Sequence, residues 1–156
     1  MQLSGREDVE APIETVFAAL TDFAGWERAA MRRGAEVERT DTLARPGRGM
    51  SWSVGFVFRG KLRRARLELV AYEPTVGLAV SGLGNSLGGM LTVDLIEMSR
   101  TRTRIEVRLE VRPLTLAARL LIQPLRLARA RVERKFRRRI AQFAAEIEQR
   151  HARGAA

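Results

Sequence analysis

The sequence predicts an α+β fold, in which an antiparallel sheet of about seven strands packs against one long C-terminal helix, with two short helices after the first strand. Three observations predict it. Across Thr103–Arg112, Ile105, Val107, Leu109 and Val111 alternate strictly with Arg104, Glu106, Arg108, Glu110 and Arg112, as in a strand with one buried and one wet face. From Leu114 to Ile147 apolar residues recur at spacings of three and four, the period of a helix with one apolar stripe. Between these ends the pattern is mostly period two, interrupted by turn residues.

In chain order, the first strand is expected over Gln2–Glu10. "APIETVFAAL" follows as a short helix, with Pro12 at its start, where a missing N–H is not needed, and Ile13, Val16, Phe17 and Leu20 on one face. Thr21 or Asp22 is placed to cap a second short helix, "FAGWERAA", and Gly34 to end it. "EVERTDTL" reads as a strand and "ARPGRG" as a turn. "MSWSVGFVF" puts Trp52, Val54, Phe56 and Phe58 on one face. Arg59-Gly60 turns the chain into "KLRRARLELVAY", and Glu73-Pro74 turns it again into "VGLAVSG". "GLGNS" leads into "LGGMLTVDLIEM", and Pro113 closes the last strand. The helical stripe runs through Leu114, Ala118, Leu121, Leu125, Ala128, Val132, Phe136, Ile140, Phe143 and Ile147, with Pro124 expected to kink or break the helix in front of it.

The composition fits a single domain spanning residues 1–156. Hydrophobic residues make up 46% and charged residues 29%, too apolar a mixture for a disordered chain. The absence of cysteine excludes disulfides, thiol nucleophiles and thiolate metal sites, and is compatible with the cytoplasmic location we expect. The start, "MQLSGREDVE", lacks the apolar segment of a signal peptide. No apolar run approaches the roughly 20 residues of a membrane-spanning helix.

The net charge is +10, and it is unevenly spread. Residues 1–113 hold 17 basic and 15 acidic side chains, against 11 and 3 in residues 114–156. The basic excess therefore belongs to the C-terminal segment, and such asymmetry can mark a polyanionic partner. That segment also carries the apolar stripe, whose burial is worth on the order of 10 kcal/mol. It is a core helix first and a binding surface second. If its wet face is functional, the arginine-rich helix docks to an anionic membrane, which Arg126, Arg134, Arg137 and Arg138 are placed to meet, or binds nucleic acid nonspecifically. No recognised nucleic-acid motif is present, so sequence-specific nucleic-acid binding is not expected.

The order strand, two short helices, six strands, long helix resembles the START-like, or SRPBCC, helix-grip superfamily, and within it the polyketide cyclase/dehydrase and lipid-transport group. "VEAPIETVFAALTDFAGWE" (Val9–Glu27) resembles the family's opening, "FRGK…LELVAYEP" (Phe58–Pro74) its central hairpin, and "LTVDLIEMSRTRTRIEVRLEV" (Leu91–Val111) its last hairpin. The resemblance covers essentially the whole chain, and its motifs are structural rather than chemical. It implies a curved sheet gripping the helix, with an apolar cavity between them that takes a lipid, a polyketide or another apolar small molecule. Some members are cyclases or aromatases.

Catalytic machinery is hard to find. The one histidine, His151, falls outside the packed pattern, which argues against a Ser-His-acid array or a histidine metal site. "GLGNSLGG" lacks the spacing and the following helix of a phosphate loop. No catalytic residue, metal or cofactor is assigned, and a non-catalytic binding protein is the leading reading. The expected cavity lining is Trp26, Trp52, Phe56, Phe58, Leu67, Met90, Val107, Leu109, Leu125 and Val132, joined by two charged misfits, Glu7 and Arg129. Arg129 falls within the apolar arc and Glu7 shares the phase of Leu3 and Val9. A charge on an apolar face needs a partner. The first reading is that Pro124 shifts the helix phase or that Arg129 snorkels to the rim; the second is that Arg129 points toward the cavity and pairs with Glu7 or receives an acidic group of the ligand. The alternative function, a polyketide cyclase or aromatase, needs titratable groups converging in the cavity. Glu7, Arg129 and Tyr72 are its candidates.

Overall fold

The computed structural model describes residues 1–155. Strand β1 (Gln2–Val9) leads into helices α1 (Ile13–Leu20) and α2 (Phe23–Arg32). Strands β2 (Glu36–Arg39), β3 (Ser51–Phe58), β4 (Lys61–Glu73), β5 (Gly77–Gly84), β6 (Leu87–Ser99) and β7 (Arg102–Pro113) follow, then helices α3 (Leu116–Leu127) and α4 (Arg129–Ala155). The strands form one antiparallel sheet in the order β1-β7-β6-β5-β4-β3-β2, so the first strand closes onto the last. The sheet is curved, as expected.

Local chemistry explains most boundaries. Asp22 caps α2, its side chain accepting from the Gly25 amide at 3.1 Å. Gly34 ends that helix at φ +92°, a conformation that costs a glycine little. The β3–β4 hairpin turns through Arg59 and Gly60, both at positive φ, as a two-residue turn matching the strand twist requires.

Two boundaries differ from the sequence reading. The strand expected over "EVERTDTL" stops at Arg39, because Asp41 draws the chain into a loop. Its carboxylate accepts from the Leu43 and Ser51 amides at 3.0 and 2.9 Å and binds the Arg39 guanidinium at 2.6 and 2.9 Å. The C-terminal helix breaks not in front of Pro124 but four residues later, at Ala128. Thr115 caps α3, accepting from the Ala118 amide at 3.1 Å, and α3 runs through Pro124. Pro124 is exposed, where water can take the carbonyl left without its N–H partner. At Ala128 the chain tightens, the Arg131 amide donating back to the Ala128 carbonyl at 3.0 Å.

Helix α4 lies along β1. Arg129 sits at Gln2, Arg137 at Ser4, Ile140 against Gly5, and Glu148 at Glu10. The apolar stripe read from the sequence holds in α4, where Ile140, Ala144 and Ile147 are buried. The solid core sits at the α1/α2 end. There Val9, Ala11, Ile13, Val16, Phe17 and Leu20 pack with Leu69, Leu78, Leu95, Ile105 and Ile147.

Candidate functional site: the concave face of the sheet

Strand register decides which side chains face the helices. Gly5 lies under Ile140, so Leu3, Gly5, Glu7 and Val9 share the concave, helix-covered face. Pairing carries that face across the sheet to Leu109, Val107 and Ile105 on β7, then Leu91, Val93 and Leu95 on β6 and Leu78 and Val80 on β5. On β4 and β3 it continues through Leu67, Trp52, Val54, Phe56 and Phe58.

The expected lining residues divide on this frame. Phe56, Phe58, Leu67, Val107 and Leu109 lie half-buried on the concave face, Leu67 and Val107 packed against the core and Phe56, Phe58 and Leu109 outside it. Trp52 also lies there, but it is buried in the core, its ring 5.7 Å from Phe23 and its indole N–H donating to Glu27 at 3.0 Å. Leu125 and Val132 are half-buried on α3 and α4. Trp26 is exposed on α2, its ring tilted against Phe143 at 5.2 Å, with its N–H donating to the Leu20 carbonyl. Met90 belongs to the opposite, convex face, opposite Glu110 and Ser81, and Leu91 takes the inward position beside it.

The charged misfits do not meet. Arg129 is exposed and donates to the Gln2 carbonyl at 3.3 Å, five residues along β1 from Glu7. Arg129 is the first residue of α4 and keeps its phase with Val132 and Ile140, but it lies level with the start of β1, where its long side chain reaches the exposed rim instead of Glu7. Tyr72, the third candidate for acid–base work, packs against Phe17 at 5.5 Å on β4, four strands from β1. Glu7, Tyr72 and Arg129 therefore do not converge. Among the four arginines expected to meet a membrane, Arg137 is engaged, donating to the Ser4 carbonyl and to Glu133 at 3.2 and 2.9 Å. Arg126, Arg134 and Arg138 are exposed.

Arg63 was missed by sequence reasoning. It pairs with Phe56 and so shares the concave face, its Nε donating to the Phe58 carbonyl at 3.2 Å and its guanidinium 5.8 Å from the Phe58 ring. The run Lys61–Arg66 is basic at four of its six positions, so its own pattern hides which arginine points inward.

The perturbed titrating groups sit in ion pairs that serve the fold. The Arg39 guanidinium beside Asp41, with the Ser51 amide, holds that carboxyl far below the usual carboxylate range. Arg104 likewise lowers Asp8 through a 2.8 Å hydrogen bond, on the convex face.

Two open recesses lie outside the expected hollow. One, of about 670 Å³, lies between α1 and the end of α4 and is lined by Thr15, Ala19, Asp22, Ile147 and His151 among others. The other, of about 420 Å³, is bordered by Met1, Gln2, Arg126 and Arg129. The apolar ground expected to hold a ligand is instead the half-buried stretch of concave face beyond the core. Among the described residues, no helix is long and apolar enough to cross a membrane.

Comparison with known proteins agrees with this architecture. The profile of a family described as polyketide cyclase / dehydrase and lipid transport matches residues 2–148. No curated protein matches the sequence. Among solved structures, the Zhui aromatase/cyclase from Streptomyces sp. R1128 superposes with a TM-score of 0.66 at 15% identity, over 96% of this chain and 94% of that one. TTHA0849 from Thermus thermophilus gives 0.62 at 16% identity over all of both chains. A START superfamily protein from Mycobacterium smegmatis gives 0.56 at 12% identity, over 86% of this chain and 95% of that one. At these identities the likeness is one of fold.

Proposed function

The chain belongs to the polyketide cyclase / dehydrase and lipid transport family, and from that premise we propose that it binds an apolar small molecule on the concave face of its sheet. One observation carries the reading. The α1/α2 end of that face is packed solid, whereas Phe56, Phe58 and Leu109 lie outside the core and are half-buried, with Val54, Leu67, Leu91 and Val107 only partly covered at its border. Covering such a wall with a ligand contributes about 2.5 kcal/mol for each 100 Å² of apolar surface removed from water. Arg63, set beside Phe58 at the rim, supplies a donor that fixes the orientation of a ligand carrying an oxygen.

The test is native mass spectrometry of the purified protein for a copurified apolar molecule, with titration of the amphiphilic fluorophore 1-anilinonaphthalene-8-sulfonate at high salt, where its sulfonate is screened from the arginines. Val107→Trp, which fills the face, and Phe56→Ser, which roughens it, should each weaken fluorophore binding at least tenfold. Unchanged binding in both variants, with no copurified molecule, would remove the concave face as the site.

A further inference from the structure

We infer that the end of the sheet formed by the β3–β4 and β5–β6 turns and α3 docks onto the surface of an anionic lipid bilayer. Helix α3 is apolar on two opposite sides. Ala118 and Ile122 are buried, and they fix it to the fold. Leu116, Leu120 and Leu127 are 75%, 70% and 81% exposed. At 100° per residue these three leucines span about 40° and lie roughly opposite the buried pair. A surface helix needs one apolar stripe to join its core, so the second stripe faces another medium. The apolar ground continues onto the sheet. The Leu114 amide donates to the Ser86 carbonyl at 2.8 Å, and exposed Leu83 and Leu114 meet over Gly88, each 3.8 Å from where its Cβ would stand.

Charge identifies the medium. Residues 57–66 and 111–132 together hold ten arginines and lysines and no acidic residue, and residues 79–93 hold no charge. The β3–β4 hairpin projects beyond the last β4–β5 pair, Ala65–Gly84, by four residues, about 13 Å, and it carries Arg59 and Lys61 at its tip. Arg119 and Arg126 flank the leucine stripe on α3. The opposite end of the sheet mixes signs, with Asp8 and Glu10 bound to Arg102 and Arg104. Arg64 and Arg112 pair with Glu36 and Glu110, and the rest of the surface is basic, so a second copy of this chain would bring two predominantly basic surfaces together; a nucleic acid offers phosphates but no apolar phase for leucines. The interface of an anionic bilayer offers phosphates and hydrocarbon within one helix diameter. Docking there points the open part of the concave face toward a source of apolar molecules, but the docking surface itself needs no ligand. A protein that carries nothing yet binds vesicles would retain the docking role and lose the binding role proposed above.

The chain has no cysteine, so Gln123→Cys, exposed within the leucine stripe, gives a unique attachment point for an environment-sensitive nitrobenzoxadiazole label, and Gln149→Cys on α4 gives the control. On vesicles of phosphatidylcholine with about 30% phosphatidylglycerol at low salt, the label at 123 should shift to the blue and the label at 149 should not. Binding should fall at least tenfold on neutral vesicles, in about 0.5 M salt, and in the triple variant Leu116→Ser/Leu120→Ser/Leu127→Ser. The charge variant Lys61→Gln/Arg119→Gln/Arg126→Gln should behave likewise and guards against misfolding of the leucine variant. An unshifted label at 123 on bound protein, or wild-type binding by both variants, would overturn the proposal. So would self-association without vesicles that the leucine substitutions abolish, since the face would then belong to a second copy.

Discussion

At Gly5 helix α4 lies close over the sheet, and adding one methyl group there tests how the helix is held. A Cβ at this position would stand 2.8 Å from Ile140 Cδ1 and 3.2 Å from Arg137 Cγ, both closer than ordinary contact. Overpacking of this kind costs about 1–3 kcal/mol, and replacing glycine by alanine recovers about 0.4–1 kcal/mol by restricting the unfolded chain. The difference leaves Gly5→Ala destabilising by up to about 2.6 kcal/mol, less if the Ile140 methyl swings aside. Ile140→Ala alone removes a buried side chain and should cost about 2–5 kcal/mol. Combined, the new methyl group enters space that the isoleucine has vacated, so the double variant should be about 1–2 kcal/mol more stable than the sum of the two costs predicts. Urea unfolding followed by tryptophan fluorescence, from Trp26 and buried Trp52, measures all four stabilities. Additivity within about 0.5 kcal/mol would refute the close approach of α4 to β1 at Gly5.

Other outcomes follow from single groups. Thr103 is fully buried and its hydroxyl donates to the Ala11 carbonyl at 2.9 Å; Thr103→Val keeps the shape, strands that carbonyl, and should cost about 1–3 kcal/mol in urea unfolding. Asp41 has a folded-state pKa depressed by Arg39 and the Ser51 amide. Its contribution is therefore complete above the unfolded value of about 3.9 and is lost as pH falls toward and below 2. Limited proteolysis with an acid-active protease should find the 42–49 loop protected near pH 5 and cut as pH drops, whereas Asp41→Asn should leave it open across that range. Equal protection in that variant would show that the carboxylate does not hold the loop.

How much the sequence revealed depended on whether an element's two faces differ. Strand β7 was readable because arginines and glutamates mark its wet side, and α4 because Ile140 and Ile147 stand in a stripe among charges. Strand β6 was not, since Met90, Ile96 and Met98 are apolar on one parity and Leu91, Val93 and Leu95 on the other. Its facing is set by pairing with β7, and Met90 consequently falls on the convex side. The alternative of a Glu7–Arg129 pair failed for a related reason. Periodicity gives the angle at which a side chain leaves its helix, but not how far that helix has slid along the neighbouring strand. The break at Ala128 was hidden because proline's effect on a helix depends on whether water reaches the unpaired carbonyl, a matter of exposure that the residue's identity does not carry.

The one-residue gap at Ala128 divides the C-terminal segment into two parts with unequal footing. Helix α4 is bolted to β1 along most of its length, while α3 rests on the fold through Ala118 and Ile122. The amides of α3 can thus open by a small local excursion, whereas those of α4 around Ile140 exchange only when the whole protein unfolds. A flap hung from a fixed post allows access to the sheet beneath it without disturbing the post.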